Sequence, residues 1–341
     1  MRAALVALAM TWWSVAVQAQ GFEPGRYLSL ALTVLRVEAP TGTGELKVGT
    51  GVTVAPGVVV TNCHVTRDAV SVRVVKPAGR WAADGQFADA EHDLCFLSVP
   101  TWPGRPVRFG ETGSLRLYQP VVAMGFTLGA GVSMTPGEIT GLHGHDGGRI
   151  IQTTSSFTSG ASGGALLDTD GGLIGVLTFR LRGNIDHYFS VPASWVAARL
   201  PIATAQFRPI GSLEGRAFWE ADACCVPYFM REGALKSQEK WPELLRLADD
   251  WIAADPGDAD AWLARGVAYA RLRQPRDAAG ALERAVALAP RNAGAWYELG
   301  TAGVESADAE TIRRATAALA GLDSLLERNL TQMSKTREQF R

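Results

Sequence analysis

Gly160-Ala161-Ser162-Gly163-Gly164 stands directly ahead of the apolar run Ala165-Leu166-Leu167. Glycines on both sides of one serine allow a tight turn in which the backbone N–H groups of Gly160 and Ser162 converge on a single oxyanion. Serine is a poor nucleophile unless a base takes its proton during attack, and histidine has the proton affinity suited to neutral pH. A buried carboxylate is then needed to fix the imidazole tautomer and stabilise the imidazolium. Upstream, Thr61-Asn62-Cys63-His64-Val65 follows an apolar strand, and Asp93-Leu94-Cys95-Phe96-Leu97 begins another. Asp84, Asp89 and Glu91 lie close by. Asp93 is the choice because it immediately precedes the apolar strand, which fixes a carboxylate at a strand edge. The candidate catalytic residues are therefore His64, Asp93 and Ser162.

From Tyr27 to about Val191 the apolar residues come in short runs or alternation punctuated by glycine, as in Gly51 to Val60, Leu94 to Val99 and Leu173 to Phe179. Such runs predict an all-β sandwich or barrel, and no long helical pattern interrupts them. Past Pro209 the texture changes to alanine, leucine and paired charges, as expected of amphipathic helices. Trp262 and Trp296, Gly266 and Gly300, and Pro256 and Pro290 each recur at the same spacing. Trp262, Gly266, Tyr269, Ala278, Leu282, Ala285 and Pro290 fall on the tetratricopeptide template, with leucine in place of its phenylalanine. The unit from Trp296 keeps Leu299 and Gly300 and then degrades. The unit ending at Pro256 keeps mainly its second helix. Worn terminal units suit a short solenoid whose ends have no outer neighbour.

These motifs resemble the chymotrypsin-like serine proteases, most closely trypsin-like peptidases of the high-temperature-requirement type, over roughly residues 47 to 195. Gly49-Thr50-Gly51-Val52 through His64 resembles the histidine strand and turn of that family. Val122-Ala123-Met124-Gly125-Phe126 and Thr135-Pro136-Gly137-Glu138-Ile139 resemble its second-barrel entry. Ile151 to Thr154 with Ser159 to Gly164 resembles its nucleophile loop. The resemblance implies two antiparallel six-stranded barrels with the site in the cleft between them. It also brings the histidine turn beside the aspartate strand, so Cys63 and Cys95 are either a disulfide or two buried thiols. By the same analogy Ser156, Thr178, Phe179 and Arg180 line the specificity pocket. No acidic residue is among them, so cleavage after Lys or Arg is not indicated. Ala161 departs from the family, which usually has a polar residue there, and the Thr154 to Ser159 loop does not match. Helical repeats stand where the family commonly carries a peptide-binding PDZ domain.

The expected organisation is multi-domain: a signal peptide at 1–19, a double-barrel protease domain at 26–205, a linker at 206–225 and all-α helical repeats at 226–341. Arg2 followed by an apolar stretch to Val17, then Val17-Gln18-Ala19, has the pattern of a cleaved secretory signal. The stretch falls short of a membrane span, so the expected location is periplasmic or secreted without stable membrane insertion. In such a compartment four cysteines permit disulfides. Adjacent Cys224 and Cys225 would pair with each other only through a strained ring. The formal charge is −1. Residues 1–207 carry 15 basic against 14 acidic side chains, and the remainder 18 against 20. Neither half has the basic face that nucleic acid requires.

His143-Gly144-His145-Asp146 is read as a solvated glycine-rich loop and not as a metal site. No metal and no cofactor is expected. All five histidines lie between His64 and His187, so the repeats have no base of the usual kind. They are expected to hold protein or peptide substrates or a partner. The functional expectation is a serine endopeptidase working through an acyl-enzyme, with a non-catalytic protein-binding scaffold as the alternative. A chain ending near Ala205 is expected to keep turnover of short substrates.

Overall fold

The computed structural model describes residues 29–127, 131–181 and 187–339. The signal peptide expected at 1–19 lies outside them. Short β-branched runs form the strands, as the sequence predicts. The first sheet contains Val34–Pro40 (β1), Leu46–Ala55 (β2), Val58–Thr61 (β3), Arg73–Lys76 (β4), Gly79–Ala82 (β5), Gly85–Asp89 (β6) and Leu94–Ser98 (β7). Their order is β5-β4-β1-β2-β3-β7-β6, a seven-stranded antiparallel sheet in place of the six strands expected. β4 and β5 form a hairpin at one edge of this sheet, in which Val74 faces Trp81.

The second half is a closed barrel of six strands: Pro120–Phe126 (β8), Val132–His145 (β9), Gly148–Thr153 (β10), Ala165–Asp168 (β11), Leu173–Leu181 (β12) and His187–Pro192 (β13). The chain thus has a chymotrypsin-like β-barrel region followed by helices. Cys63–Thr66 (α1) is a single turn after β3, and Ala193–Ala205 (α2) leaves the barrel.

Seven helices follow: Tyr228–Ser237 (α3), Trp241–Ala254 (α4), Ala259–Arg271 (α5), Pro275–Leu288 (α6), Ala293–Ser306 (α7), Ala309–Ala320 (α8) and Ser324–Gln339 (α9). Asp258, Asn292 and Asp308 cap α5, α7 and α8 with their side chains. The repeat is visible in the contacts. Trp262 Nε1 donates to the Pro256 carbonyl at 3.0 Å, and Trp296 Nε1 to that of Pro290 at 2.9 Å. Both indoles are half-buried against the helical core and are not wholly core residues. Gly266 and Gly300 are where Leu282 and Leu330 press in, leaving no room for a Cβ. The unit ending at Pro256 has a complete first helix, α3. Its Phe229 packs on the barrel and not on a preceding repeat, which is why its sequence departs from the template.

The stretch 206–225 is no free tether. Gln86 and Arg208 exchange backbone hydrogen bonds at 2.7 and 2.9 Å. Leu213 N donates to the Arg67 carbonyl, and Phe218 N to that of Glu91. One buried cluster runs from Val34 and Val52 through Trp195 and Phe218 to Phe229, Leu244 and Ala268. The strands and the first helices therefore share a core, and the protease half is not a separately closed unit.

Candidate active site

Strand register brings the first two candidates together. In the β3–β7 pair Thr61 lies opposite Cys95, so the residues just after β3 and just before β7 are neighbours. Asp93 makes the turn with φ 55° and is fully buried. Its carbonyl accepts from Asn62 Nδ2 at 2.8 Å and Cys63 N at 3.3 Å. Its Oδ1 accepts from His64 N at 2.9 Å, and Oδ2 from His64 Nδ1 at 2.6 Å. A carboxylate only accepts, so Nδ1 carries the proton and Nε2 is left as the base. Cys63 and Cys95 are bonded to each other directly behind this pair, with Cα atoms 4.8 Å apart.

The Ser162 loop is held from the other side of the cleft by one residue of β2. Thr50 Oγ1 donates to the Gly160 carbonyl at 2.6 Å, and Thr50 N to the Ser162 carbonyl at 2.8 Å. Thr50 Oγ1 also accepts from Phe126 N at 2.9 Å, and the Thr50 carbonyl accepts from Thr61 Oγ1 at 2.6 Å. Gly163 sits at φ 85°, where a Cβ would overlap the Thr50 carbonyl oxygen. Only glycine allows the loop to approach β2 so closely. With both carbonyls drawn to Thr50, the N–H groups of Gly160 and Ser162 donate to no acceptor among the described residues. They are free to meet an incoming oxyanion. Ser162 Oγ and His64 Nε2 are not hydrogen-bonded to each other.

Of the expected pocket residues, Ser156 is exposed and Arg180 half-buried. Thr178 and Phe179 are only 2% and 5% exposed. Thr178 Oγ1 donates to the Val176 carbonyl and accepts from Asn62 Nδ2 at 3.3 Å, so it supports the Asp93 turn. Phe179 is stacked between Phe189 and Trp219, at 4.8 and 5.3 Å between centroids. Both side chains are buried, and Phe179 is covered by Phe218 and Trp219 from beyond Ala205.

The histidine-rich segment is not a solvated loop. It forms the end of β9 and its turn into β10, and it is covered by α3 and by the 3-10 turn Phe218–Glu220. His143 bonds Asp260 at 3.0 Å and Gln152 at 2.9 Å, and stacks on Phe229 at 4.2 Å. Burial alone would push its pKa down, but Asp260 and Gln152 outweigh it and the net shift is upward. His92 bridges Asp89 and Asp146 at 2.7 and 2.8 Å. Cys224 and Cys225 are exposed free thiols with Sγ atoms 2.7 Å apart.

Trp219 was not legible as a site residue. Its indole N–H donates to Asp93 Oδ2 at 3.3 Å, and its ring stands edge-on to His64 at 5.6 Å. The next residue, Glu220, pairs with Arg67 at the end of α1. Burial works against the Glu220 charge, yet Arg67 holds the carboxyl below its ordinary range. A chain ending near Ala205, expected to keep turnover of short substrates, would lack this donor.

Residues 49–176 match the model of the trypsin-like peptidase domain, and residues 259–302 that of a tetratricopeptide repeat. Among curated proteins the chain is similar to the periplasmic serine endoprotease DegP of Salmonella typhimurium, 31% identical over 163 residues. That match covers 44% of this chain and 34% of the relative. It is also similar to the chloroplastic Protease Do-like 1 of Arabidopsis thaliana, 33% identical over 160 residues, covering 43% and 35%. The chain thus matches about a third of the length of these relatives. A solved structure of the HtrA-type protease AlgW with tripeptide is 25% identical over 51% of this chain and 62% of that one, with a TM-score of 0.47. The chain carries a trypsin-like peptidase domain followed by tetratricopeptide repeats. Among the described residues no helix is long and apolar enough to cross a membrane.

Proposed function

We propose that the protein is a serine endopeptidase that hydrolyses peptide bonds of proteins through an acyl-enzyme. The observation that carries this reading is the fully buried Asp93 carboxylate, 2.6 Å from His64 Nδ1. The geometry leaves Nε2 of the same ring as a base, and the Ser162 loop is tied by Thr50 to the strand pair that bears His64. In the proposed reaction Ser162 Oγ turns toward His64 Nε2 as substrate binds, since catalytic hydrogen bonds of this kind often tighten only then. Oγ attacks the peptide carbonyl while Nε2 takes its proton. Asp93 stabilises the imidazolium, and the N–H groups of Gly160 and Ser162 hold the oxyanion. His64 returns the proton to the leaving amine, and water repeats the sequence on the acyl-enzyme. No cofactor enters these steps.

The reading places the enzyme in the periplasm or outside the cell, with the repeats recruiting protein substrate or a partner. Its test is Ser162→Ala. Casein or short-ester turnover should fall by about 10⁴- to 10⁶-fold, with the melting temperature retained. Labelling by a fluorophosphonate probe should be lost with it. Residual turnover of more than a few per cent, or a folded wild type that never labels, would end the proposal in favour of a protein-binding scaffold.

A further inference from the structure

Asp93 Oδ2 receives two donors among the described residues, and only one of them belongs to the peptidase domain. His64 Nδ1 is the first, at 2.6 Å, and Trp219 Nε1 the second, at 3.3 Å. The hydroxyl of Thr178, on β12, is spent on the Val176 carbonyl and Asn62. Trp219 lies outside both the segment matched to the peptidase domain and the matched repeat.

The turn that carries Trp219 is fastened to the chain on both sides of the pair. Phe218 N donates to the Glu91 carbonyl, two residues before Asp93. Glu220 makes a bidentate pair with Arg67, three residues after His64, at 2.5 and 3.2 Å. Ala217 N closes the turn onto Glu220 at 3.2 Å. The indole is stacked on Phe179 at 16° and stands against His64 at 88°. A group held this way fixes the rotation of the carboxylate and closes one side of the imidazole.

We infer that Trp219 is a positioning residue for the reaction, supplied by the connecting segment, and that the segment is a working part of the active site. This rests on the reading of His64, Asp93 and Ser162 as the catalytic set. Trp219 touches no reacting atom. It acts by keeping Oδ2 aimed at Nδ1, and so by holding Nε2 in the basic tautomer.

The test compares Trp219→Phe with wild type and with Ser162→Ala in the full chain, using a short ester that does not reach the repeats. Phenylalanine keeps the stacking on Phe179 and removes only the N–H and the outer ring. The expected result is a kcat lower by about three- to tenfold with KM unchanged, as for an interaction that acts on the barrier and not on binding. The low-field proton resonance of the His64–Asp93 hydrogen bond should move with it, which a merely structural role would not require. A kcat within twofold of wild type with an unmoved resonance overturns the inference. So does a raised KM at unchanged kcat, which would make Trp219 a wall of the substrate site only. Should the phenylalanine variant fail to fold, Glu220→Gln carries the test. It loosens the clamp on Arg67 while leaving the indole in place, and it must lower kcat at unchanged KM in the same way, by a smaller factor; an unchanged kcat overturns the inference. Activity surviving in Ser162→Ala would mark failure of the catalytic reading itself, and the two failures are thereby told apart.

Discussion

The two sides of the cleft are held in different ways. The His64–Asp93 side is fixed by the Cys63–Cys95 bond, by Asn62 on the Asp93 carbonyl, and by Trp219 and Glu220 from the connecting segment. The Ser162 loop is bound to the opposite half through Thr50, with glycines where side chains would obstruct the approach. One side is set partly by residues from beyond the barrel. The other is set by a turn that a single threonine draws into place. The difference teaches that the His64–Asp93 pair is braced in part by elements outside the peptidase match, whereas the Ser162 loop is held from within it, by Thr50 across the cleft.

Removing the contacts from beyond the barrel should have the larger effect. A chain ending at Ala205 loses Trp219 and also the cover over Phe179, Phe189 and Trp195 that Phe218 and Phe229 provide. Burying an aromatic side chain contributes about 1.5–3 kcal/mol, and domain stability is only about 5–15 kcal/mol, so losing several such contacts is severe. Thermal melting of the truncated protein should show a large loss of stability. Turnover of a short ester per folded molecule should fall by at least about tenfold. A truncated chain with full short-ester turnover and an unchanged melting temperature would break the comparison.

Thr50→Val probes the other side. Valine keeps the branched shape but leaves the Gly160 carbonyl and the Phe126 N–H without their partner. Leaving buried groups unsatisfied costs about 1–3 kcal/mol each. The Gly160 carbonyl is then free to reorient and to disturb the neighbouring Gly160 and Ser162 N–H groups proposed to hold the oxyanion, so kcat should fall by about tenfold with KM little changed. Steady-state kinetics alongside a denaturation curve checks both statements. Loss of stability without loss of kcat would mean that Thr50 is only a structural link.

Much of this was legible in the sequence because it depends on short-range pattern. A turn-forming glycine either side of Ser162, a β-branched run before His64, an apolar run after Asp93, and Trp, Gly and Pro recurring from Pro256 to Gly300 all leave a local signature. What was missed is carried by distant contacts. Trp219 has no periodic neighbour and meets Asp93 across 126 positions of chain. Its only local hint is the pair Phe218-Trp219 in a stretch otherwise read as linker. The His143 segment was misread because Gly144, Gly147 and Gly148 are turn-like, while the contacts that bury it come from Asp260 and Phe229. Thr178 and Phe179 were assigned to a pocket by analogy, but Phe179 is covered by Phe218 and Trp219 from beyond Ala205, and the Thr178 hydroxyl is spent on Val176 and Asn62.

The smallest expected effect sharpens the same contrast, by loosening the junction of strands and helices away from the catalytic pair. His143 on β9 is held by Asp260 on α5, with Gln152 on its other nitrogen. Glu232 on α3 and Asp258 also act on it or on its partner; burial and the charge of Asp260 push the Asp258 carboxyl up to about 6. Because the His143 pKa is raised on folding, its pairing stabilises fully below the ordinary histidine value of 6.5 and is lost as pH rises through the folded-state value. Asp260→Asn keeps the shape and removes the charge. Its cost should therefore be about 1 kcal/mol larger at pH 6 than at pH 9, because the charged pairing weakens as pH rises. Relief of Asp258 acts in the same direction, since that carboxylate ionises more easily once its neighbour is uncharged. Melting temperatures of wild type and variant at the two pH values give the difference directly. Short-ester kcat should not change, because His143 and Asp260 touch neither Asp93 nor His64. A cost that grows with pH would reverse the assigned direction, and a fall in kcat would show that the junction and the catalytic pair move as one body.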